Sequence, residues 1–333
     1  MISREMIYDL MYALMACGGR EATLFGDCAP AAREAFMKSL TGETFPELWF
    51  ELPLKGDAWF DLHSLVSHAD IAGTKAGYAG HSGFYEDALT WFASQPEGVR
   101  QLALSYDVSA GDVEQPALQL LADRKGFDVV KGFLGAAGRA DAVDPCHSFF
   151  SSLPRGWYAC YTGVFPSRAQ KAHAPFLRVE CIPMRNVQHA HAHDADLLRT
   201  HLHEAGVTWE DDELVNCCRT LASTPFAYEY QFDVEPDGGA GSTLGVSLRF
   251  SPADWQSNAK KFAIWRLMEY VSGLGITDDR WRLIPQTLFA KRINREGETV
   301  RAYAYPAFIK LRWREGTLLD AKTYLLARTE PVA

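Results

Sequence analysis

The sequence contains no apolar run approaching the ~18 residues of a membrane-spanning helix. Its start, MISREMIYDLMYALMACGG, mixes acids into an amphipathic pattern and lacks the basic flank of a secretory signal. These two absences predict a cytoplasmic protein. Positive charge is also scarce: the formal net charge is -9, which argues against a general nucleic-acid binder and leaves room only for a local basic pocket. The 7 cysteines are scattered without a Cys-x-x-Cys pair, so neither a disulfide framework nor a thiolate zinc site is expected, and reduced, buried thiols are. The glycine-rich GTKAGYAGHSG between Gly73 and Gly83 lacks the spacing of a phosphate-cradling loop and reads as a mobile connection, with Lys75 or Tyr78 swinging over a ligand as the minor option. No Gly-x-Gly-x-x-Gly follows an expected strand, and no Gly-x-Ser-x-Gly elbow presents a nucleophile.

The chain does have enough hydrophobic material, 47% of 333 residues, to build a substantial core, and residues 1–333 are read as a single domain. Its clearest pattern is YEYQFDVEPDGGAGSTLGVSLRF, Tyr228 to Phe250. Tyr228, Tyr230, Phe232 and Val234 alternate with Glu229, Gln231 and Asp233, and after the turn Leu244, Val246, Leu248 and Phe250 alternate with Gly245, Ser247 and Arg249. Such alternation marks a β-hairpin with one apolar and one polar face.

Four similar units recur. WFELPLKGDAWFDLHSLV turns at Lys55-Gly56-Asp57, with Phe50 and Leu52 on the apolar face and Glu51, Asp61 and His63 on the other; Pro53 suggests an edge or bulge. Gln101 to Leu121 turns at Ser109-Ala110-Gly111-Asp112, and Pro116 interrupts its return arm. Trp157 to Ile182 carries the long turn PSRAQKAHA and sets Phe176, Arg178 and Glu180 opposite Leu177, Val179 and Cys181. In the last unit Ile309, Leu311 and Trp313 alternate with Phe308, Lys310 and Arg312, and Ala321 to Leu325 returns past Lys322 and Tyr324. Residues 286–305 read either as helix then loop or as a further hairpin turning at Arg295-Glu296-Gly297.

Helical patterns separate these units, at residues 6–15, 31–40 and 84–92, on either side of Gly206, and as one long amphipathic helix from Pro252 to Val271 with Trp255, Phe262 and Leu267 on its apolar stripe. In HAHAHDADLLRTHLHEAG, five of the 10 histidines fall between His189 and His203. At the i, i+2 spacing of a helix they diverge rather than converge, so a solvated loop and helix start is expected and no metal site is assigned.

Helix-flanked antiparallel hairpins satisfy their apolar faces best if these pack outward on helices while ten strands close into an α+β barrel with the polar faces inward. About eight strands leave only enough interior for side chains, so ten should leave a wet cavity. An open sheet, or two sheets in two domains with solvated polar faces, is the alternative.

Five helix-flanked hairpins resemble the ABBA prenyltransferase barrel. Within that group QFDVEPDGGAGSTLGVSLRF is similar to a strand, Asp-Gly turn and strand of cyanobactin-type peptide prenyltransferases, and LALSYDVSAGDVEQPALQLL to their second hairpin. The resemblance implies transfer of an isoprenyl group from a prenyl diphosphate to a nucleophilic or aromatic side chain of a precursor peptide. It brings Mg²⁺ only as a companion of the donor, with no tightly bound cofactor and no metal ligands in the chain, and with neither nucleic acid nor membrane as a partner.

Parity would point Arg178, Arg249, Lys310, Arg312 and Lys322 inward with Tyr324 beside them, a cluster suited to diphosphate because charged donors bind phosphate oxygens strongly. The first-hairpin carboxylate Glu51 carries over as the catalytic group that orients the acceptor and takes its proton, with Asp61, His63 and Asp107 as acceptor contacts. The sequence departs from a purely cationic site, because Glu180, Glu229 and Asp233 share the inward parity. If they pair with the cations, a salt-bridge lattice results, and the barrel becomes a non-catalytic binder of a peptide or small molecule.

Overall fold

The computed structural model describes residues 47–66, 68, 71–77, 83–95, 99–108, 112–122, 126–165, 177–295 and 298–331, with positions 30, 31, 33, 34 and 37. The helix expected over residues 6–15, most of that over 31–40, the tip Ser109-Ala110-Gly111, the turn PSRAQKAHA and Phe176 lie outside the described residues.

Hairpins alternate with helices in chain order. β1 (Glu47–Pro53) and β2 (Asp61–Val66) are followed by α1 (Ile71–Gly77) and α2 (Gly83–Ala93); β3 (Val99–Asp107) and β4 (Asp112–Ala122) by α3 (Phe127–Ala136) and α4 (Val143–Ser152). Next come β5 (Trp157–Val164) and β6 (Leu177–Pro183), then α5 (Arg185–His193), α6 (Ala195–Glu204) and α7 (Asp212–Ala222). β7 (Ala227–Val234) and β8 (Ala240–Arg249) lead to α8 (Pro252–Gln256) and α9 (Asn258–Gly273), and the chain ends with β9 (Phe289–Arg295), β10 (Glu298–Arg314) and β11 (Thr317–Pro331).

All pairings are antiparallel, and they close: β1 to β8 follow in order, β8 pairs with β10, β10 with β11, and β11 with β1. The ring therefore has ten strands. β9 sits outside it, on the part of β10 from Glu298 to Ala304, so residues 286–305 contain the further hairpin rather than a helix and loop. The reason is length: β8 engages only Phe308 to Arg314, and β9 pairs backbone groups on the part of β10 that overshoots it.

Pro116 is accommodated by a register break between Ser105 and Asp107, which takes residues 113–116 out of the ladder, and the freed Pro116 carbonyl accepts a 2.9 Å bond from the Tyr85 hydroxyl of α2. Pro53 lies beyond Glu51, the last residue of β1 that pairs with β2, so it sits at a local edge. It ends β1, opposite Lys322 of β11.

The apolar faces point outward onto the helices. Tyr228, Tyr230, Phe232, Leu244, Val246, Leu248, Ile309 and Leu311 are all buried. Trp157 stacks on Tyr230 at 4.3 Å between ring centres, and Phe149 of α4 meets Phe232 at 5.3 Å. Truncating one of these aromatics would cost about 3–5 kcal/mol.

Three helical expectations change. Residues 73–77 of the glycine-rich stretch belong to α1 rather than to a mobile connection, and residues 78–82, Tyr78 among them, lie outside the described residues. The expected long helix is broken at Ser257, whose side chain caps α9 by accepting from the Lys260 amide, after a Ser251/Asp254 capping box starts α8. This break turns Phe262 outward, 64% exposed, while Ile264, Leu267, Met268 and Val271 are buried. The histidine tract is neither loop nor solvated throughout. Asp194 caps α6 and separates it from α5, and His191 packs inward with its Nε2 2.8 Å from Nδ1 of His201.

Candidate active site

Register places one set of side chains in the lumen. Glu51 stands opposite both Asp61 and Tyr324, Lys310 opposite Ser247 and Lys322, and Gln231 opposite Glu180 and Gly245. Directly paired residues of a ladder share a face. The inner space holds about 110 Å³, lined among others by Trp49, Glu51, Tyr161, Arg178, Glu229 and Lys310. It continues through Trp49, Tyr161, Glu180 and Arg249 into about 720 Å³ at the end where strands meet their helical connections, marked by Glu47, Tyr158, Ile182 and Tyr305.

Of the expected cations, Arg178, Arg249 and Lys310 line the inner space, and Arg312 and Lys322 stand nearby on β10 and β11; four of the five carry carboxylate partners. Arg178 Nε donates to Asp233 at 2.8 Å, Arg312 makes a two-point contact with Asp320, and Lys322 bonds Glu51. Arg249 Nε lies 3.3 Å from Glu229 and its guanidinium 4.8 Å from the centre of the Phe308 ring. Lys310 differs from these four. Its ammonium donates to neutral groups, the Gln231 side-chain oxygen and, at 3.5 Å, the Tyr324 hydroxyl. Among the described residues no carboxylate is in direct ion-pair contact with it. Burial, reinforced by Arg178, lowers its pKa to about 7.

Gly245 makes room for that lysine: a Cβ there would meet Lys310 Cε at 2.8 Å.

Two of the lumen glutamates, Glu51 and Glu229, are driven in opposite directions. Burial resists ionisation of Glu51, yet Lys322, His63 and Lys310 together hold it well below the usual carboxylate range. His63 Nε2 is 3.3 Å from its second oxygen, and His63 Nδ1 is 2.6 Å from the Ser105 hydroxyl. For Glu229 burial dominates, Glu180 adds to it, and Arg249 offsets only part, leaving a pKa of about 7.

Of the acceptor candidates, His63 lines the lumen, Asp61 is buried in register with Glu51, and Asp107 ends β3 opposite Asp112, one residue beyond the pair that Tyr106 makes with Leu62. Several lumen residues were not among the sequence candidates. Trp49 and Phe308 share the parity of Glu51 and Lys310 and were readable from it. Tyr161 was not, because a bulge between Ala159 and Tyr161 turns both Cys160 and Tyr161 toward the interior.

Among the described residues, no group of three His, Cys, Asp or Glu side chains is gathered to hold a metal, and no helix is long and apolar enough to cross a membrane.

A closed ten-strand antiparallel barrel ringed by helices, with a charged lumen, is the prenyltransferase barrel fold. The chain is similar to the crystal structure of prenyltransferase PriB in its apo form, with a TM-score of 0.55 over 97% of this chain and 96% of that one, at 15% sequence identity. At that identity the likeness establishes the fold. No protein-family model matches the sequence, and no curated protein does.

Proposed function

We propose that the protein transfers an isoprenyl group from a prenyl diphosphate to a nucleophilic or aromatic side chain of a peptide. The observation that carries this reading is Lys310: a buried cation, facing a cavity, in hydrogen-bond contact with neutral groups only and repelled by Arg178, with Glu51 and Glu180 offsetting burial only in part. Such an arrangement is costly in the free protein and is relieved by an anion. A diphosphate at Lys310 draws on the neighbouring Arg178, Arg312 and Lys322, which exchange part of their carboxylate contacts for phosphate oxygens. As the allylic carbon–oxygen bond breaks, these cations stabilise the departing charge. Trp49, Tyr161, Phe308 and Tyr324 offer ring faces to the positive prenyl fragment and limit its access to water. Mg²⁺ would enter as the donor's counterion, and no step is assigned to it.

The peptide acceptor rests on the hairpin resemblance and on the wide mouth, whose ~720 Å³ admits a side chain with its flanking backbone. Glu51 would fix the acceptor side of the lumen through its ties to Lys322 and His63.

A second reading, a non-catalytic barrel that binds a peptide or small molecule, is favoured by the carboxylates beside Arg178, Arg249, Arg312 and Lys322. Incubation with dimethylallyl or geranyl diphosphate, Mg²⁺ and candidate peptides separates the two. The first reading expects the added isoprene mass on peptide; the second expects peptide binding with no mass change.

A further inference from the structure

We infer that Glu229 of β7, rather than Glu51, accepts the proton released by the acceptor during transfer. The inference rests on the prenyl-transfer reading and concerns the same lumen. A general base needs an unoccupied lone pair within reach of the reacting X–H. Glu51 does not offer one readily, since one oxygen is bonded to Lys322 and the other lies 3.3 Å from His63. Glu229 does. It is 2% exposed, it lines the lumen, and its Oε1 accepts no hydrogen bond among the described residues, because Arg249 Nε at 3.3 Å is not aimed to donate. A buried carboxylate oxygen left without a donor is unfavourable unless something supplies one, and an acceptor hydroxyl, amine or indole N–H would.

The groups facing Glu229 come from four strands: Cys160 from β5, Glu180 from β6, Arg249 from β8 and Lys310 from β10. Burial and Glu180 raise its proton affinity, and Arg249 and Lys310 keep the rise moderate, to about 7. Two carboxylates in one site, pushed apart by their surroundings, divide the work: Glu51 stays ionised and structural, and Glu229 exchanges a proton near neutrality.

The step balances simply. The acceptor atom forms its bond to the prenyl carbon, the carbon–oxygen bond to diphosphate breaks with its electron pair leaving on the diphosphate, and the acceptor's proton passes to Glu229. The resulting neutral carboxylic acid returns the proton to water through the mouth, beside Arg249, which borders both spaces.

The test is single-turnover transfer against pH for wild type, Glu229→Gln, Glu229→Asp and Glu51→Gln, with geranyl diphosphate binding measured by calorimetry for each. Glu229→Gln should bind donor at least as well as wild type, since it removes an anion, and transfer about 10²-fold more slowly or worse. Wild type should show a rate rising through pH ~7 that Glu229→Gln loses, that Glu229→Asp keeps in shifted form, and that Glu51→Gln keeps at a lower overall rate. If Glu229→Gln transfers within about 3-fold of wild type, or if Glu51→Gln is the variant that loses the pH dependence, the assignment is wrong. A wild-type protein that transfers nothing overturns the prenyl-transfer reading and this inference together, whereas transfer by wild type matched by Glu229→Gln overturns only the inference.

Discussion

Lys322 bonds Glu51 across the seam where the last strand of the chain meets the first. Both side chains are nearly buried, at 10% and 12% exposure, so the pair welds the closure of the barrel as well as bordering its lumen. Leaving either charge alone is expensive, because the survivor stays desolvated without its partner.

Glu51→Gln or Lys322→Met alone should therefore lower the unfolding free energy by roughly 3 kcal/mol, while the double variant recovers much of that loss. The folded pKa of Glu51 is depressed, so its contribution is fully present above the unfolded value near ~4.3 and is lost as pH falls through the folded value. Urea unfolding at pH 7 and at pH 3 measures both effects. Equal destabilisation of single and double variants would contradict the pairing.

The histidine pair on the outer layer makes an acid-sensitivity prediction. His191 is fully buried, its Nδ1 has no partner among the described residues, and burial with His201 beside it lowers its pKa to about 4. The group stays neutral when folded and protonates more readily when unfolded. Stability should accordingly fall as pH drops from ~6.5 toward the folded value, by at most roughly 3 kcal/mol. His191→Gln should flatten that part of the curve. Trp157, whose ring is 6.0 Å from His191 and stacks on Tyr230, supplies a fluorescence signal for the transition.

Gly245 should matter to binding more than to folding. A Cβ there meets the mobile end of the Lys310 side chain at 2.8 Å and Gln231 Cβ at 3.2 Å, so Gly245→Ala displaces the lysine rather than the strand. The expected outcome is donor affinity reduced about 10-fold with unfolding changed by less than ~1.5 kcal/mol. An unchanged affinity would show that Lys310 does not need its present position.

Strict alternation made the barrel legible from sequence. Ser247 and Arg249 against Leu248, and Lys310 against Ile309 and Leu311, encode which face is which, since a one-residue slip would reverse them all. Alternation fails where the ladder does. The bulge at Ala159 to Tyr161 hid Tyr161, the break at Pro116 took residues 113–116 out of register with β3, and the cap at Ser257 turned Phe262 outward. Pairing between residues distant in sequence was also hidden. Glu51 and Lys322 are 271 positions apart and Lys310 and Gln231 are 79 apart; the first pair meets because β11 closes on β1, and the second reaches across β8. The sequence showed that carboxylates and cations share the interior, but not that Lys310 alone among those cations is held by neutral groups.

That distinction leads to the most direct measurement: calorimetric titration of geranyl diphosphate into the protein at pH 8 in two buffers of different ionisation enthalpy. With a folded pKa of about 7, Lys310 is mostly neutral at that pH and should become charged when diphosphate binds. Binding with uptake of close to one proton, lost in Lys310→Met, is the predicted result. Absence of binding heat in either buffer, from a folded protein that still binds peptide, would contradict the account.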